Sequence, residues 1–107
     1  MLTIRSYAPA DFENVVALWQ ACELTRPWND PAADIEFCVG SENSILMVGV
    51  AGDEPKIVAT AMAGHDGHRG WIYYVAVAPE HRAKGSGRET MARAQEWLAR
   101  RGVQKRC

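Results

Sequence analysis

The chain has 107 residues, which suffices for one domain but not for a second hydrophobic core, so we predict a single domain over residues 1–107. Hydrophobic residues make up 48% and charged residues 23% of the sequence, which is typical of a globular protein and excludes a disordered segment. No apolar run approaches the ~18 residues of a membrane helix, and the N-terminus lacks a signal-peptide pattern. We therefore expect a cytoplasmic protein without a membrane partner.

The net charge of −1 hides a strong asymmetry along the chain. Residues 1–80 hold four basic and eleven acidic side chains, whereas residues 81–107 hold eight basic and two acidic ones. We therefore expect an anionic ligand near the last quarter of the chain. For Arg93, Arg100 and Arg101 we favour the simpler interpretation that they solvate a helix face and complement its C-terminal dipole.

Hydrophobic periodicity and turn residues divide the chain into successive predicted elements. They predict, in order, a strand at 2–7, helices at 9–23 and 31–39, strands at 45–51, 56–63 and 71–77, and a helix at 85–101. The three later strands should form an antiparallel meander, because short turns join them.

Each predicted helix carries apolar side chains at helical spacing, which indicates a buried face. These side chains are Phe12, Val15, Val16, Trp19 and Cys22 in the first helix, Ile35, Cys38 and Val39 in the second, and Met91, Ala94 and Leu98 in the third. Asp30 is the predicted N-cap of the second helix, while Gly40 and Gly102 are predicted to end the second and third.

The three cysteines, Cys22, Cys38 and Cys107, are odd in number and lack CxxC spacing. A disulfide framework and a zinc site are therefore not expected, and Cys22 and Cys38 are interpreted as small buried hydrophobes. A metal site at His65 and His68 is not expected either, because no third ligand has a suitable spacing to them.

The segment 75–88 is typical of a strand that ends at a proline, a basic turn with glycines, and the start of a helix. Gly85 and Gly87 allow a tight turn and a close approach to a ligand, while the N–H groups of a new helix favour an anion. Three basic side chains surround this turn: Arg82, Lys84 and Arg88. On the glycines alone, simple loop geometry remains an open alternative.

The element order and this motif resemble the GNAT superfamily of acyl-CoA-dependent N-acetyltransferases. Its signature, Gln/Arg-x-x-Gly-x-Gly/Ala, is matched by Arg-Ala-Lys-Gly-Ser-Gly at residues 82–87, with the strand, Ala78-Pro79 and the helix in corresponding places. Residues 26–31 and 66–70 further look like the YpeA-like branch of small bacterial acetyltransferases. The resemblance covers all of the chain, and it implies an α+β fold with a mostly antiparallel central sheet in the order β-α-α-β-β-β-α.

The resemblance also implies a site for acetyl-CoA along this strand, turn and helix. The N–H groups of residues 84–88 would bind the pyrophosphate, and the backbone of residues 75–77 would pair with the pantetheine and polarise the thioester carbonyl. The implied cofactor-binding residues are Val75, Ala76, Val77, Arg82, Ala83, Lys84, Gly85, Ser86, Gly87 and Arg88. Independently, an apolar strand edge suits pantetheine, and a pyrophosphate matches the basic last quarter of the chain.

The chain departs from the family pattern at its C-terminal end, where most of a strand-helix-strand-strand portion is lacking. The fifth strand is barely begun at Val103 and Gln104, and the helix whose tyrosine protonates the departing thiolate is absent. We expect either a truncated domain or a second copy that supplies the missing wall. The open edge from Tyr73 to Val77 would favour aggregation if uncovered, so we expect a homodimer that covers it.

Acetyl transfer to an amine needs a held thioester, a stabilised oxyanion and a base within reach of the ammonium proton. The candidate catalytic residues are Tyr73, His68 and Asp66, and the candidate substrate contacts are Trp28, Asn29 and His65. Asp66 and His68 have a structural alternative as hairpin-turn residues, and Trp28 has one as a loop anchor. Tyr73 and Tyr74 are expected on opposite sheet faces, so only one of them should be core.

The sequence thus predicts an acetyl-CoA-dependent N-acetyltransferase with an unidentified amine acceptor. A noncatalytic acyl-CoA-binding remnant or regulatory module would share the same cradle, the strand, glycine turn and helix start at residues 75–88. It would differ from an enzyme only in lacking turnover. A nucleic-acid-binding module over residues 82–106 is less favoured. That stretch has one aromatic residue, Trp97, rather than the interleaved basic and stacking residues that such modules use.

Overall fold

The structure is a computed structural model that describes residues 2–24, 30–51, 56–66, 69–79, 81, 85–102 and 105–106. Its strands are β1 (Leu2–Ser6), β2 (Ser44–Ala51), β3 (Lys56–His65), β4 (Arg69–Val77) and β5 (Lys105–Arg106). Its helices are α1 (Phe12–Ala21), α2 (Pro31–Val39) and α3 (Ser86–Arg100), and a short 3-10 turn (Pro9–Asp11) leads into α1. The predicted α+β class and the order β-α-α-β-β-β-α are confirmed.

One five-stranded sheet forms the centre of the fold, with its strands in the order β1-β2-β3-β4-β5. Neighbours among the first four strands are antiparallel, and the pairing of β2 with β3 and of β3 with β4 confirms the predicted meander. β5 runs parallel to β4 and pairs with it at Arg69 and Gly70. The described residues place no strand beside the rest of β4 on that side, so most of β4 is an edge.

Helices cover both faces of the sheet. α1 and α2 pack on one face with Val15, Trp19 and Ile35, whereas α3 packs on the other with Ala94 and Leu98. The central strands supply Leu46, Val48, Val58 and Met62 to the first face and Met47, Ala61 and Ala63 to the second. Strands buried on both faces have few polar positions, which explains the continuous apolar run of β2 and β3.

The helices differ from their predictions mainly at their ends. The first predicted helix, 9–23, begins as the 3-10 turn, and α1 ends before Cys22, which is half-buried. Phe12 and Val39 were expected in buried stripes, but Phe12 is 37% exposed and Val39 is exposed as well. Each lies at the end of its helix, where fewer neighbouring turns and strands cover a side chain.

The predicted helix caps are confirmed. The carboxylate of Asp30 accepts the N–H of Ala33 at 3.2 Å at the start of α2, and that helix ends before Gly40. Gly102 follows α3 in the left-handed conformation, with φ of +80°. Within the described residues, no helix is both long enough and apolar enough to cross a membrane.

The hairpin between β3 and β4 is tighter than predicted. β3 extends to His65 and β4 begins at Arg69, so His65 is the last strand residue rather than part of the turn. The backbone N–H of Asp66 donates to the carbonyl of Arg69 at 3.1 Å, and the Asp66 carboxylate accepts the N–H of Arg69 at 2.8 Å. Asp66 is therefore a turn-forming residue in this structure.

Candidate functional site

β4 contains a bulge at the centre of the molecule. In its pairing with β3, Tyr73 lies opposite Met62 and Ala76 lies opposite Thr60, so Tyr74 and Val75 together face the single residue Ala61. Tyr74 has φ of +53°, a left-handed conformation that is rare for a bulky residue. Such strain persists only where the surroundings hold it, and bulges of this kind are frequent beside active sites.

A buried hydrogen-bond network holds the bulge in place. The hydroxyl of Thr60 accepts the indole N–H of Trp19 at 2.9 Å and donates to the carbonyl of Tyr74 at 2.8 Å. The Tyr74 ring stacks on Trp19 with centroids 4.0 Å apart, and its hydroxyl donates to the carboxylate of Asp34. Backbone and side chain of Tyr74 are thus fixed from β3, α1 and α2 at once.

The bulge turns two neighbouring tyrosines to one side of the sheet. Tyr73 and Tyr74 were expected on opposite faces, but both line the same cavity beside α2. The expectation was wrong because it assumed strict alternation, which the extra residue of a bulge interrupts. Tyr74 is the one packed against the core, whereas Tyr73 is 59% exposed and lies against Trp71 with centroids 5.3 Å apart.

β4 leads directly into the glycine turn and α3. The N–H of Ala78 donates to the carbonyl of Val58 at 2.7 Å, which fixes the end of the strand. Gly85 precedes α3 with φ of +78°, a conformation that favours glycine, and it has no side chain to cap the helix. A Cβ at Gly87 would lie 2.9 Å from the Val77 side chain, so the helix approaches the strand closely there. The start of α3 therefore presents backbone N–H groups near the end of β4.

Of the predicted cofactor-binding residues, those that the structure describes lie on β4 and at the start of α3, which approach each other at Val77 and Gly87. Val75 is 36% exposed at the edge of β4, while Ala76 is buried and Val77 is half-buried. Ser86 is buried at the first position of α3, and Arg88 is exposed one residue after Gly87. Arg82, Ala83 and Lys84 lie outside the described residues.

A family comparison identifies the class of protein to which this junction belongs. The model of the acetyltransferase (GNAT) family matches residues 12–107, which is nearly the whole chain. The chain belongs to the GNAT acetyltransferase family. The fold, the edge of β4 and the glycine turn before α3 are thus features of a GNAT domain.

Solved structures share the fold of this GNAT domain at low sequence identity. Glucosamine-6-phosphate N-acetyltransferase from Arabidopsis thaliana has a TM-score of 0.81 at 18% identity, over 100% of this chain and 80% of its own. AAC(6')-Iy in complex with the bisubstrate analog CoA-S-monomethyl-acetylneamine has a TM-score of 0.81 at 18% identity, over 100% of this chain and 78% of its own. A predicted acetyltransferase with acetyl-CoA from Clostridium acetobutylicum has a TM-score of 0.80 at 15% identity, over 100% of this chain and 79% of its own.

The GNAT domain does not bring all the predicted catalytic and substrate residues together. Tyr73 lies in the cavity beside α2, two residues before Val75. His65 lies on the side of α3, where its ring is 5.7 Å from that of Trp97, and Asp66 is exposed at the hairpin turn. Three further candidates, Trp28, Asn29 and His68, lie outside the described residues.

Sequence reasoning missed two polar residues that hold the bulge of β4 in place. Asp34 is an acidic residue in the first turn of α2. Its favourable interaction with the helix dipole would explain an acid at this position without any ligand. Thr60 is a polar residue inside the apolar run of β3, and its complete burial could have been suspected for that reason. Their partners Tyr74 and Trp19 come from distant parts of the chain, so only the fold reveals the network.

A thiol also lines the cavity of the GNAT domain. Cys38 is buried on α2, and its burial raises the pKa of the thiol above the ordinary value. A raised pKa leaves the thiolate scarce at neutral pH, so Cys38 is poorly suited to nucleophilic catalysis. Within the described residues, no three His, Cys, Asp or Glu side chains are grouped so as to hold a metal ion.

Proposed function

We propose that this GNAT domain binds acetyl-CoA and transfers its acetyl group to the amine of an acceptor. The observation that carries the proposal is the bulged edge strand β4, which runs into a helix that begins behind a left-handed glycine. The outer side of β4, where the described residues place no strand beside 71–77, would take the pantetheine arm at residues 75–77, and the first turn of α3 offers N–H groups and a positive dipole to the pyrophosphate. Two of the related structures are described with acetyl-CoA or a CoA-containing analog, which supports this ligand.

In the proposed reaction the acceptor nitrogen attacks the thioester carbonyl carbon directly. A C–N bond forms, the C–S bond breaks, the CoA thiolate leaves, and the nitrogen gives up one proton to a base. Donors along residues 75–77 would polarise the carbonyl and stabilise the oxyanion. We assign proton transfer to Tyr73, Asp66 or His68, and among them Tyr73 lies beside the bulge. A thiol with an ordinary pKa near 8.5 leaves as thiolate without an obligatory acid.

Three finer assignments accompany this proposal. Trp28 and Asn29 contact the acceptor, whereas His65 lies on the side of α3, does not line the cavity beside α2 and is not assigned to the acceptor. The domain belongs to the YpeA-like branch of small acetyltransferases. The chain forms a homodimer through the edge of β4, whose outer side has no strand beside residues 71–77 within the described part of the fold. An uncovered edge of this length favours strand addition from a second copy.

Calorimetric titration with acetyl-CoA tests the cradle. Wild type should bind, and Gly85→Asp should bind at least about tenfold more weakly, because a carboxylate at the helix N-cap competes with the pyrophosphate for the same N–H groups. Gly102→Asp is the matched control. Gly102 has nearly the same φ as Gly85, +80° against +78°, and a Cβ at either glycine meets no atom within 4 Å. It follows α3 at the opposite end.

The two variants separate strain from ligand contact. Gly102→Asp should retain wild-type affinity although it carries the same backbone strain. No binding by wild type, or equal affinity of Gly85→Asp and wild type, would refute the cradle. Thiol release from acetyl-CoA in the presence of a panel of amines then distinguishes an acetyltransferase from a noncatalytic acyl-CoA-binding module, because only the enzyme produces free CoA.

A further inference from the structure

A cavity of about 250 Å³ lies between α2 and the bulged part of the sheet. One of its lining residues, Tyr73, lies two residues before Val75 in the proposed pantetheine edge. Its lining residues are Asp34, Phe37, Cys38, Met62, Trp71, Tyr73 and Tyr74. Among the described residues, four aromatic side chains and one carboxylate therefore line it, and no basic side chain does.

The carboxylate in this cavity is held in a fixed position. Asp34 lies four residues before the buried Cys38, so α2 places both on the face that packs against the sheet. The hydroxyl of Tyr74 donates to Asp34, and Tyr74 is itself held by Trp19 and the bulge. A half-buried carboxylate among aromatic rings is costly unless a cation or hydrogen-bond donors compensate it.

The aromatic wall is preorganised as well. Trp71 lies over Gly64 of the neighbouring strand so closely that a Cβ at Gly64 would be 2.1 Å from the indole ring. Tyr73 packs against Trp71, and Phe37 on α2 is 79% exposed beside the cavity mouth. An aromatic ring that is this exposed leaves its face accessible to a ligand, and such faces attract cations.

We propose that this cavity is the acceptor site and that it selects a small cationic amine with an aromatic or other apolar group. The ammonium pairs with Asp34, and the apolar group lies against Phe37 and Tyr73. This inference rests on the proposed acetyltransferase function and specifies its substrate class. The carboxylate of Asp34 disfavours phosphorylated or carboxylate-bearing acceptors, because their negative charge would face it. The volume is below the roughly 300–1,000 Å³ of drug-sized sites, which suits a small amine.

The proposal is tested with benzylamine, a cation at neutral pH, against benzyl alcohol, its neutral counterpart of similar shape. Both are titrated into the protein without acetyl-CoA, and binding is followed by calorimetry and by amide chemical shifts. Benzylamine should bind at least about tenfold more tightly than the alcohol. The shifts should concentrate on residues 34–38 and 71–74.

Variants on α2 identify the groups responsible. Asp34→Asn keeps an acceptor for the Tyr74 hydroxyl but removes the charge, and it should weaken benzylamine binding about tenfold or more. Glu36→Gln removes an exposed charge on the same helix outside the cavity, and it should leave binding unchanged. Phe37→Ala removes an exposed ring without touching the core, and it should weaken binding severalfold, whereas Val39→Ala should not.

Specific outcomes would overturn this assignment. Equal binding of the amine and the alcohol, unchanged affinity of Asp34→Asn and Phe37→Ala, or shifts outside the cavity would each refute it. The acetyl-CoA titration is independent of these measurements. Failure of acetyl-CoA binding with selective benzylamine binding would refute the acetyltransferase proposal while leaving the cation site, and the reverse result would refute only the cation site.

Discussion

Asp11 is the residue whose ionisation contributes most visibly to the fold. It is nearly buried after β1, where its carboxylate accepts two hydrogen bonds from the guanidinium of Arg5, at 2.7 and 2.9 Å, and one from the N–H of Ala8. The hydrogen bond from Arg5 holds the pKa of the Asp11 carboxyl below its ordinary value. The sequence does not reveal this pairing, because the bend that brings Arg5 to Asp11 is a tertiary feature.

The lowered pKa makes stability depend on pH in a defined direction. A carboxyl whose pKa is lower in the folded than in the unfolded state stabilises the fold above the unfolded value of about 3.9. That contribution is lost as the pH falls through the folded pKa. Asp11→Asn should therefore lower the free energy of unfolding at pH 7 by about 1–2 kcal/mol, and the difference from wild type should shrink towards acid pH.

Urea unfolding at neutral and acid pH measures this effect. Glu96→Gln is the control, since Glu96 pairs with Arg100 on the exposed surface of α3 and should change stability by less than about 0.5 kcal/mol. A destabilisation of Asp11→Asn that is the same at both pH values would show that packing, and not the charge of Asp11, is responsible.

At the scale of elements, the sequence predicted the strand, the glycine turn and the helix of the cradle, because each has a local signal. It could not predict the bulge in β4. Residues 71–75 are an unbroken run of large apolar and aromatic residues, which is typical of an ordinary strand, and the positive φ of Tyr74 has no signature in a tyrosine. The cavity and its carboxylate depend on that bulge, so the proposed acceptor site could not be predicted from the sequence, whereas the proposed cofactor site could.

The bulge makes a prediction about Thr60. Thr60→Val is nearly isosteric but removes the hydroxyl that serves Trp19 and the carbonyl of Tyr74, which leaves two buried polar groups without that partner. The variant should lose about 1–3 kcal/mol of stability. It should also perturb the amide signals of residues 73–76 and weaken acetyl-CoA binding, because the edge strand loses the hydrogen bond that holds its bulge.

Thr3→Val is the appropriate comparison for this variant. Thr3 is exposed on β1, so the same chemical change there should leave both stability and acetyl-CoA affinity close to wild type. If Thr60→Val lost stability but kept unchanged signals in β4 and full affinity for acetyl-CoA, the hydroxyl would be a packing element of the core and not a brace for the bulge.

At the scale of the whole molecule, the antiparallel order of β2, β3 and β4 followed from the short connections that the sequence shows, whereas β1 pairs with β2 across a connection that contains two helices. The fifth strand was less predictable. It was expected to begin at Val103 and Gln104, which lie outside the described residues, whereas the structure places a two-residue strand at Lys105–Arg106. Its parallel pairing with Arg69 and Gly70 is a long-range contact, and a strand this short carries almost no pattern of its own.

This arrangement places two proposals in competition for one edge. The pantetheine arm and a second copy of the chain would both add to β4 between residues 73 and 77, and one strand edge accommodates one partner at a time. Light scattering at micromolar concentration should therefore give a dimeric mass for the free protein. Saturating acetyl-CoA should shift that mass towards the monomer.

A variant on the edge of β4 tests whether the dimer forms through this strand. Val75→Lys places a charge on the exposed edge and should give a monomer without acetyl-CoA, because lysine on an edge strand opposes strand addition. Val39→Lys introduces the same residue at an exposed position of α2 and should leave the dimer intact. A monomeric mass for the wild type would refute the proposed homodimer. If the dimer persisted both in Val75→Lys and in saturating acetyl-CoA, its interface would lie away from the edge of β4. In either case no second copy of the chain would compete with acetyl-CoA for the edge of β4.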